Sequence, residues 1–457
     1  MSLQFFFIIG VFWILKPLKK ALFIQQYDSQ PFTFFHWSMS AAQTELLAKN
    51  MNLLAAFAAM VFFIALAKRF TRHVLLTIAS VLSIAGAVIL SIWLQTETAA
   101  SVWALYIFGD LFNMFMLAAF FAFLNDSVSA HQAKRLFGFI IFGGVLGGAV
   151  GSSLTRGLIS HLQMHYWFAI CIGMITAVIA LAWASAKQLC HINHPSRLSQ
   201  ESADKKIDTA SCREDHSTES KTSGTPGIRQ LLRSRYIMSI AAIVASYEIV
   251  SSIIDFQFSA AVSHFLDGPA IGAYFSTVYM MVNIVSLSIQ LFATGLVMRK
   301  LGVTHALLFL PISLLLGSVS FLIAPILLVG ALLCIFDNGL NYSMNQSAKE
   351  SLYIPVHASR KYNAKAIIDI FTQRSAKAVG VNLTLLLSAV LSFRWLAAMS
   401  VCIIVFWIAS AVYAGRRFDT LTDNHSDDGP PKWEKSEKNN PRVPRKMRLF
   451  PITHLKL

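Results

Sequence analysis

Leu3-Gln4-Phe5-Phe6-Phe7-Ile8-Ile9-Gly10-Val11-Phe12-Trp13-Ile14-Leu15-Lys16-Pro17-Leu18-Lys19-Lys20-Ala21-Leu22-Phe23-Ile24 decides how the rest of the chain is read. It is an apolar run of membrane-spanning length, interrupted by three lysines and then resumed. Lys16, Lys19 and Lys20 are spaced i, i+3, i+4 and so share one helix face. A signal peptide carries its charges ahead of the apolar region and ends in a small-residue cleavage site; neither feature is found around this run. Cations at membrane depth cost several kcal/mol unless they face protein, water or an anion. Something negative is therefore expected to meet all three. Pro17, with no amide hydrogen, is expected to kink or break the helix beside them, and discontinuous helices build substrate sites in many carriers.

Working outward, 55% of the 457 residues are hydrophobic and 13% charged, whereas soluble domains carry about 25% charged residues. The composition is that of an all-α polytopic membrane protein. An outer-membrane barrel is excluded, because its strands would alternate rather than run apolar for a whole span. Apolar segments fall at 3–24, 47–67, 74–94, 101–124, 136–159, 166–185, 236–262, 270–297, 303–323, 325–347, 364–391 and 394–415. The expected organisation is an N-terminal six-helix bundle over 1–186, a polar cytoplasmic linker over 187–235, a C-terminal six-helix bundle over 236–415 and a polar cytoplasmic tail over 416–457. Twelve transmembrane helices in two halves of six are the layout of a two-half secondary transporter.

The net charge of +15 invites a nucleic-acid partner, but its distribution argues against one. With the amino terminus inside, the inner loops and tail hold 29 of the 38 Lys and Arg, and the outer loops hold only Arg394. That asymmetry is the positive-inside pattern, and it favours a bilayer as the partner. Both termini are then cytoplasmic, and a bacterial cytoplasmic membrane suits a first helix with no transit-type sequence ahead of it. The five cysteines have neither metal nor disulfide spacing, no nucleophile–base pair for catalysis is visible, and no cofactor is called for.

Ionisable residues inside spans are the functional candidates. Besides the three lysines, these are Asp110 with Asn113 one turn on, Arg156, Glu248, Asp255, Asp337, Lys365, Asp369, Arg374 and Lys377. Asp337, Asn341 and Asn345 form a stripe at i, i+4, i+8, and Lys365, Asp369, Gln373 and Lys377 repeat the same spacing. Internal pairs account for part of this inventory: Lys365 with Asp369, and a lysine of the first helix with Asp110 or Asp337. Seven cations face five acids, so a small anion near the midplane is expected to complete the balance. Lysine suits phosphate as a point charge and arginine as a bidentate partner. The glycines at 143, 144, 147, 148 and 151 read as close helix packing, since no Gly-Lys-Ser/Thr follows them.

Three stretches together resemble the nucleotide transporter family, the ATP/ADP translocases of rickettsial, chlamydial and plastid type, itself related to the major facilitator superfamily. They are Leu15-Lys16-Pro17-Leu18-Lys19-Lys20-Ala21-Leu22; Asp110 with Phe120-Phe121-Ala122-Phe123-Leu124-Asn125-Asp126 and Ala133-Lys134-Arg135-Leu136-Phe137-Gly138; and Ala348-Lys349-Glu350-Ser351-Leu352-Tyr353-Ile354-Pro355 with Lys365, Asp369, Arg374 and Lys377. The resemblance implies a major-facilitator-like fold and exchange of ATP against ADP, or a related nucleotide uptake, by alternating access. It also implies that Lys19, Asp110, Glu248 and Lys377 matter for transport. The family usually shows Arg-Asp before the first-helix lysine, an acid after it and Glu in the fourth helix; this chain has Lys16-Pro17, Lys20 and Asp110. On this reading Lys19 and Lys377 bind phosphate, while Lys16, Lys20 and Arg374 add field. Asp110 and Glu248 order the empty site or carry a proton, and Asn113, Asn341 or Tyr247 meets the base. The alternatives are a proton-driven carrier of another small anion, such as a siderophore, sugar phosphate or organic acid, and a membrane receptor or scaffold docking a partner on the linker and tail.

Overall fold

Segments that are apolar on every side must satisfy their backbone hydrogen bonds internally, so the chain is helical almost throughout. The computed structural model describes residues 1–34, 37–127, 130–204, 234–355, 364–365 and 367–427. In the first half the helices are α1 Ser2–Ser29, α2 Ala41–Arg69, α3 Arg72–Trp93, α4 Ala99–Ser127, α5 Ala130–Leu158 and α6 Met164–Asp204. A short hairpin, β1 Phe32–Phe34 paired antiparallel with β2 Trp37–Met39, joins α1 to α2. The second half holds α7 Arg235–Phe265, α8 Pro269–Ser288, α9 Thr294–Lys300, α10 Gly302–Ile323, α11 Leu327–Leu340, α12 Gln346–Ser351, α13 Gln373–Ser388 and α14 Phe393–Asp427. Three π-helical segments interrupt its rods: Ile289–Ala293 between α8 and α9, Asn341–Asn345 between α11 and α12, and Ile367–Thr372 ahead of α13. Residues 205–233 of the expected linker, 428–457 of the expected tail and residues 356–363 lie outside the described residues, as do the side chains of 125–127, 130–138 and 186–204.

Ten of these rods are long and apolar enough to cross a membrane. The two that fall short, α1 and the rod ending in α13, are the ones carrying Lys16, Lys19 and Lys20 and Asp369, Arg374 and Lys377. α1 is surrounded by other helices, and α13 is covered on one face. α1 packs on α2, α4, α5 and α6 of its own half and on α7 and α8 of the other, while α13 packs on α2, α7 and α14. The α1 lysines thus sit where protein, not lipid, meets them, whereas Arg374 and Lys377 lie on the uncovered face of α13.

The α5 glycines hold α1 in place. A Cβ at Gly147 would overlap the Phe6 carbonyl, and one at Gly151 would come 2.5 Å from the Gly10 carbonyl. Close helix packing, as the sequence suggested, is what this stretch does. Each half has its own core: Ile14, Phe120 and Trp167 are fully buried in the first, and Leu314, Phe321 and Trp407 in the second. Two further clusters join the halves. One sets Phe23, Tyr27 and Tyr106 against Phe258, Phe275 and Tyr279; the other sets Ala42 and Leu46 against Ile253, Phe256 and Leu385. All lie toward the end where α1 and α7 finish and α2 and α8 begin. Ser263 donates to Asp28 at 2.6 Å, Gln25 to the Gly268 carbonyl at 2.7 Å and Gln43 to the Ser388 carbonyl at 3.1 Å at that same end.

Candidate functional site

α1 runs unbroken from Ser2 to Ser29 with Pro17 inside it, which corrects the expected break. One missing amide donor is tolerated because α1 is gripped along its length by α4, α5 and α8. The three lysines consequently stay on a regular helix and fan out to different partners. Lys19 pairs with Asp110 of α4, which also accepts from Asn52 of α2; the Lys19 ammonium lies 4.6 Å from the centre of the Tyr106 ring. Lys20 crosses to the other half, 2.6 Å from Asp255 of α7, and is 3.2 Å from Glu45 of α2. Lys49 pairs with the second oxygen of Asp255 and lies 3.4 Å from Glu45, whose carboxylate also accepts from the Tyr106 hydroxyl at 3.0 Å.

Lys16 differs from its neighbours. Among the described residues it has no carboxylate partner. Its ammonium lies 4.5 Å from the Trp13 ring centre, 4.8 Å from Tyr279, 5.9 Å from Phe12 and 6.0 Å from Tyr342. Trp13 and Phe12 belong to the first half, Tyr279 and Tyr342 to the second. Aromatic faces attract a cation but leave its net charge uncancelled. Of the three lysines the sequence placed on one face, two are met by carboxylates and the third is available to an anion.

Across from α1, the helix is π-wound over Asn341–Asn345, and the Asn345 amide donates to Asn341 Oδ1 at 3.0 Å. Asp337, 2% exposed, accepts from Ser251 of α7 at 2.7 Å, and its second oxygen has no hydrogen-bond partner among the described residues. Glu248 is buried and accepts from Gln373 at 2.8 Å. Arg374 and Lys377 are exposed, without a carboxylate partner among the described residues, and Asn113 is half-buried on α4.

The expected Lys365–Asp369 pair is replaced by an exchange of partners. Lys365 meets Glu350 at 2.6 Å, and Lys349 lies 3.8 Å from Asp369. The π-helical segment over Ile367–Thr372 changes the register on which an i, i+4 pair depends. Sequence reasoning missed Glu45, Lys49 and Asn52. Glu45 and Lys49 stand four apart at the start of α2, but a span drawn from residue 47 left Glu45 in a loop. α2 in fact begins at Ala41, capped by Ser40 and Gln43 in a reciprocal pair of hydrogen bonds. That capping box was the available signal.

Several known proteins share this arrangement of helices. The sequence profile of the Major Facilitator Superfamily matches residues 1–353, and a profile described as TLC ATP/ADP transporter matches 322–418. ADP,ATP carrier protein 1 of Chlamydia pneumoniae is 24% identical over 356 residues, 69% of this chain and 67% of that protein. ADP,ATP carrier protein 2 of Chlamydia trachomatis serovar D is 23% identical over 70% of this chain and 66% of its own length. For ADP,ATP carrier protein 3 of Rickettsia bellii the identity is 21%, over 70% of this chain and 72% of that one. The chain thus matches about two thirds of the length of these relatives. Among solved structures, a D-xylose-proton symporter superposes with a TM-score of 0.59 at 12% identity, covering 88% of this chain and 96% of its own. The nucleoside transporter NupG gives 0.54 at 12% identity, covering 92% and 99%.

Proposed function

From the premise that the chain belongs to the Major Facilitator Superfamily, we propose that it carries adenine nucleotides across a membrane, exchanging ATP against ADP or taking one of them up. It is an integral membrane transporter and not an enzyme. The observation that carries the nucleotide reading is Lys16. It is a cation inside the protein, placed between the two halves, with aromatic faces around it and no carboxylate on it among the described residues. A polyanion completes that environment. The curated relatives named above are ADP,ATP carriers, and the profile over 322–418 carries the same description.

In this reading all twelve rods span the membrane, the bundles over 1–186 and 236–415 rock about the site, and both termini face a bacterial cytoplasm. Lys16, with Lys377 and Arg374 from α13, takes the phosphates. Lys19 and Lys20 are held by Asp110, Glu45 and Asp255 while the site is empty, and are released to the substrate as the halves move. Glu248 fixes α13 through Gln373, and Asp369 lies at the opposite end from the closed contacts. The halves meet where α1 and α7 finish, so with the amino terminus inside this is the inward-facing arrangement.

A second reading, a proton-driven carrier of another small anion, is favoured by Asp337. A buried carboxyl with one hydroxyl donor and a second oxygen unpartnered among the described residues is suited to holding a proton. Uptake of labelled ATP into intact bacteria expressing the chain separates the two. Uptake suppressed by excess ADP and lost in Lys377→Ala supports the nucleotide carrier. With the protein present in the membrane, uptake of another anion that nucleotides do not suppress supports the second.

A further inference from the structure

A carrier that selects nucleotides from other phosphates needs a place for the base, and we propose that Tyr342, Asn341 and Asn345 form it. The inference rests on the nucleotide reading. Tyr342 is 49% exposed although it stands in the middle of a membrane-length rod. Its ring meets Trp13 edge-on at 6.0 Å and the Lys16 ammonium at 6.0 Å, both from the opposite half. It therefore faces the space between the halves rather than lipid, with ring surface left for a planar partner. Every base has a π-face, and stacking on an aromatic side chain is the common way of holding one.

The neighbouring amides supply the edge. Asn341 and Asn345 bond to one another once, through Asn345 Nδ2 and Asn341 Oδ1. That leaves Asn341 Nδ2 as a donor and Asn345 Oδ1 as an acceptor without partners among the described residues, and the Asn345 side chain is 6% exposed. Turning both amides over exchanges the two roles but still leaves one donor and one acceptor. The 6-amino group and the adjacent ring nitrogen of adenine present the complementary pair, the same chemistry by which Asn reads adenine elsewhere. A base stacked on Tyr342 also sets its phosphates one ribose away, toward Lys16. The helix is π-wound over these residues, a feature frequent at functional sites.

The test is ligand binding to the purified full chain in lipid nanodiscs. ATP is compared with tripolyphosphate, which has phosphates but no base, and with purine riboside triphosphate, which lacks the 6-amino group. Tyr342→Ala is expected to weaken ATP roughly ten-fold and tripolyphosphate much less, since Phe12, Trp13 and Tyr279 still face Lys16; retained tripolyphosphate binding also shows that the variant is folded. Tyr342→Phe should bind ATP as the parent does. Asn345→Ala, which removes the acceptor for the 6-amino group, should weaken ATP and leave purine riboside triphosphate unaffected. Tyr342→Ala weakening ATP and tripolyphosphate alike, or neither, overturns the base site while the nucleotide reading stands. Absence of ATP binding by the unaltered chain overturns both.

Discussion

Asp255→Asn tests what holds the halves together at the closed end. Asp255 of α7 takes Lys20 of α1 at 2.6 Å on one oxygen and Lys49 of α2 on the other, a bridge that exists only while the halves meet there. The substitution keeps the shape and removes the charge. Lys20, 3% exposed, is left with Glu45 at 3.2 Å, which it shares with Lys49 at 3.4 Å. Stripping a buried charge of its partner costs about 3–5 kcal/mol. Glu45 retains part of the attraction, and the Asp255 side chain is 32% exposed, so water already screens the pair. About 2 kcal/mol remains, and it shifts the population away from this arrangement roughly 30-fold. Ala42, 2% exposed in the α2–α7–α13 cluster, reports the opening. In a chain with its five native cysteines changed to serine, Ala42→Cys is labelled from outside with a membrane-impermeant thiol reagent. Asp255→Asn should raise the labelling rate roughly 30-fold. Lys20→Met added to Asp255→Asn removes the stranded charge and should bring the rate back toward that of the parent. A rate unchanged by Asp255→Asn in a membrane-inserted protein would refute the idea that this bridge holds the end shut.

Other substitutions probe the remaining parts. Lys16→Met should raise the KM for ATP uptake by ten-fold or more, on the order of 1.4 kcal/mol, and Lys16→Arg should recover part of the loss; an unchanged KM would remove Lys16 from the substrate path. Gly147→Ala should lower detergent thermal stability, since overpacking costs about 1–3 kcal/mol and the Phe6 backbone carbonyl cannot move aside as a side chain would; the melting temperature of the purified variant measures it. Asp337→Asn should flatten the pH dependence of uptake if Asp337 holds the coupled proton, whereas a parent already flat across the neutral range rules that role out.

Composition and hydropathy read along the chain were enough for a helical membrane protein. Bilayer insertion acts on whole segments, and whole segments are legible. The α5 glycines were legible for a similar reason, because small residues four apart serve close helix packing. The inventory of charges was legible too, since each ionisable residue in a span stands out against its apolar surroundings. What those charges touch was not. Lys16, Lys19 and Lys20 look equivalent at i, i+3, i+4, yet their ammonium groups reach toward Tyr279 on α8, Asp110 on α4 and Asp255 on α7. Which one is left for an anion follows from helix neighbours hundreds of residues apart. Likewise the exchange of partners by Lys365 and Asp369 depends on how neighbouring segments of the second half pack, and single-helix periodicity does not contain that information. The sequence by itself determined which residues carry charge into the membrane; only the tertiary structure decided which of them meet a carboxylate among the described residues, because pairing is a property of the space between helices.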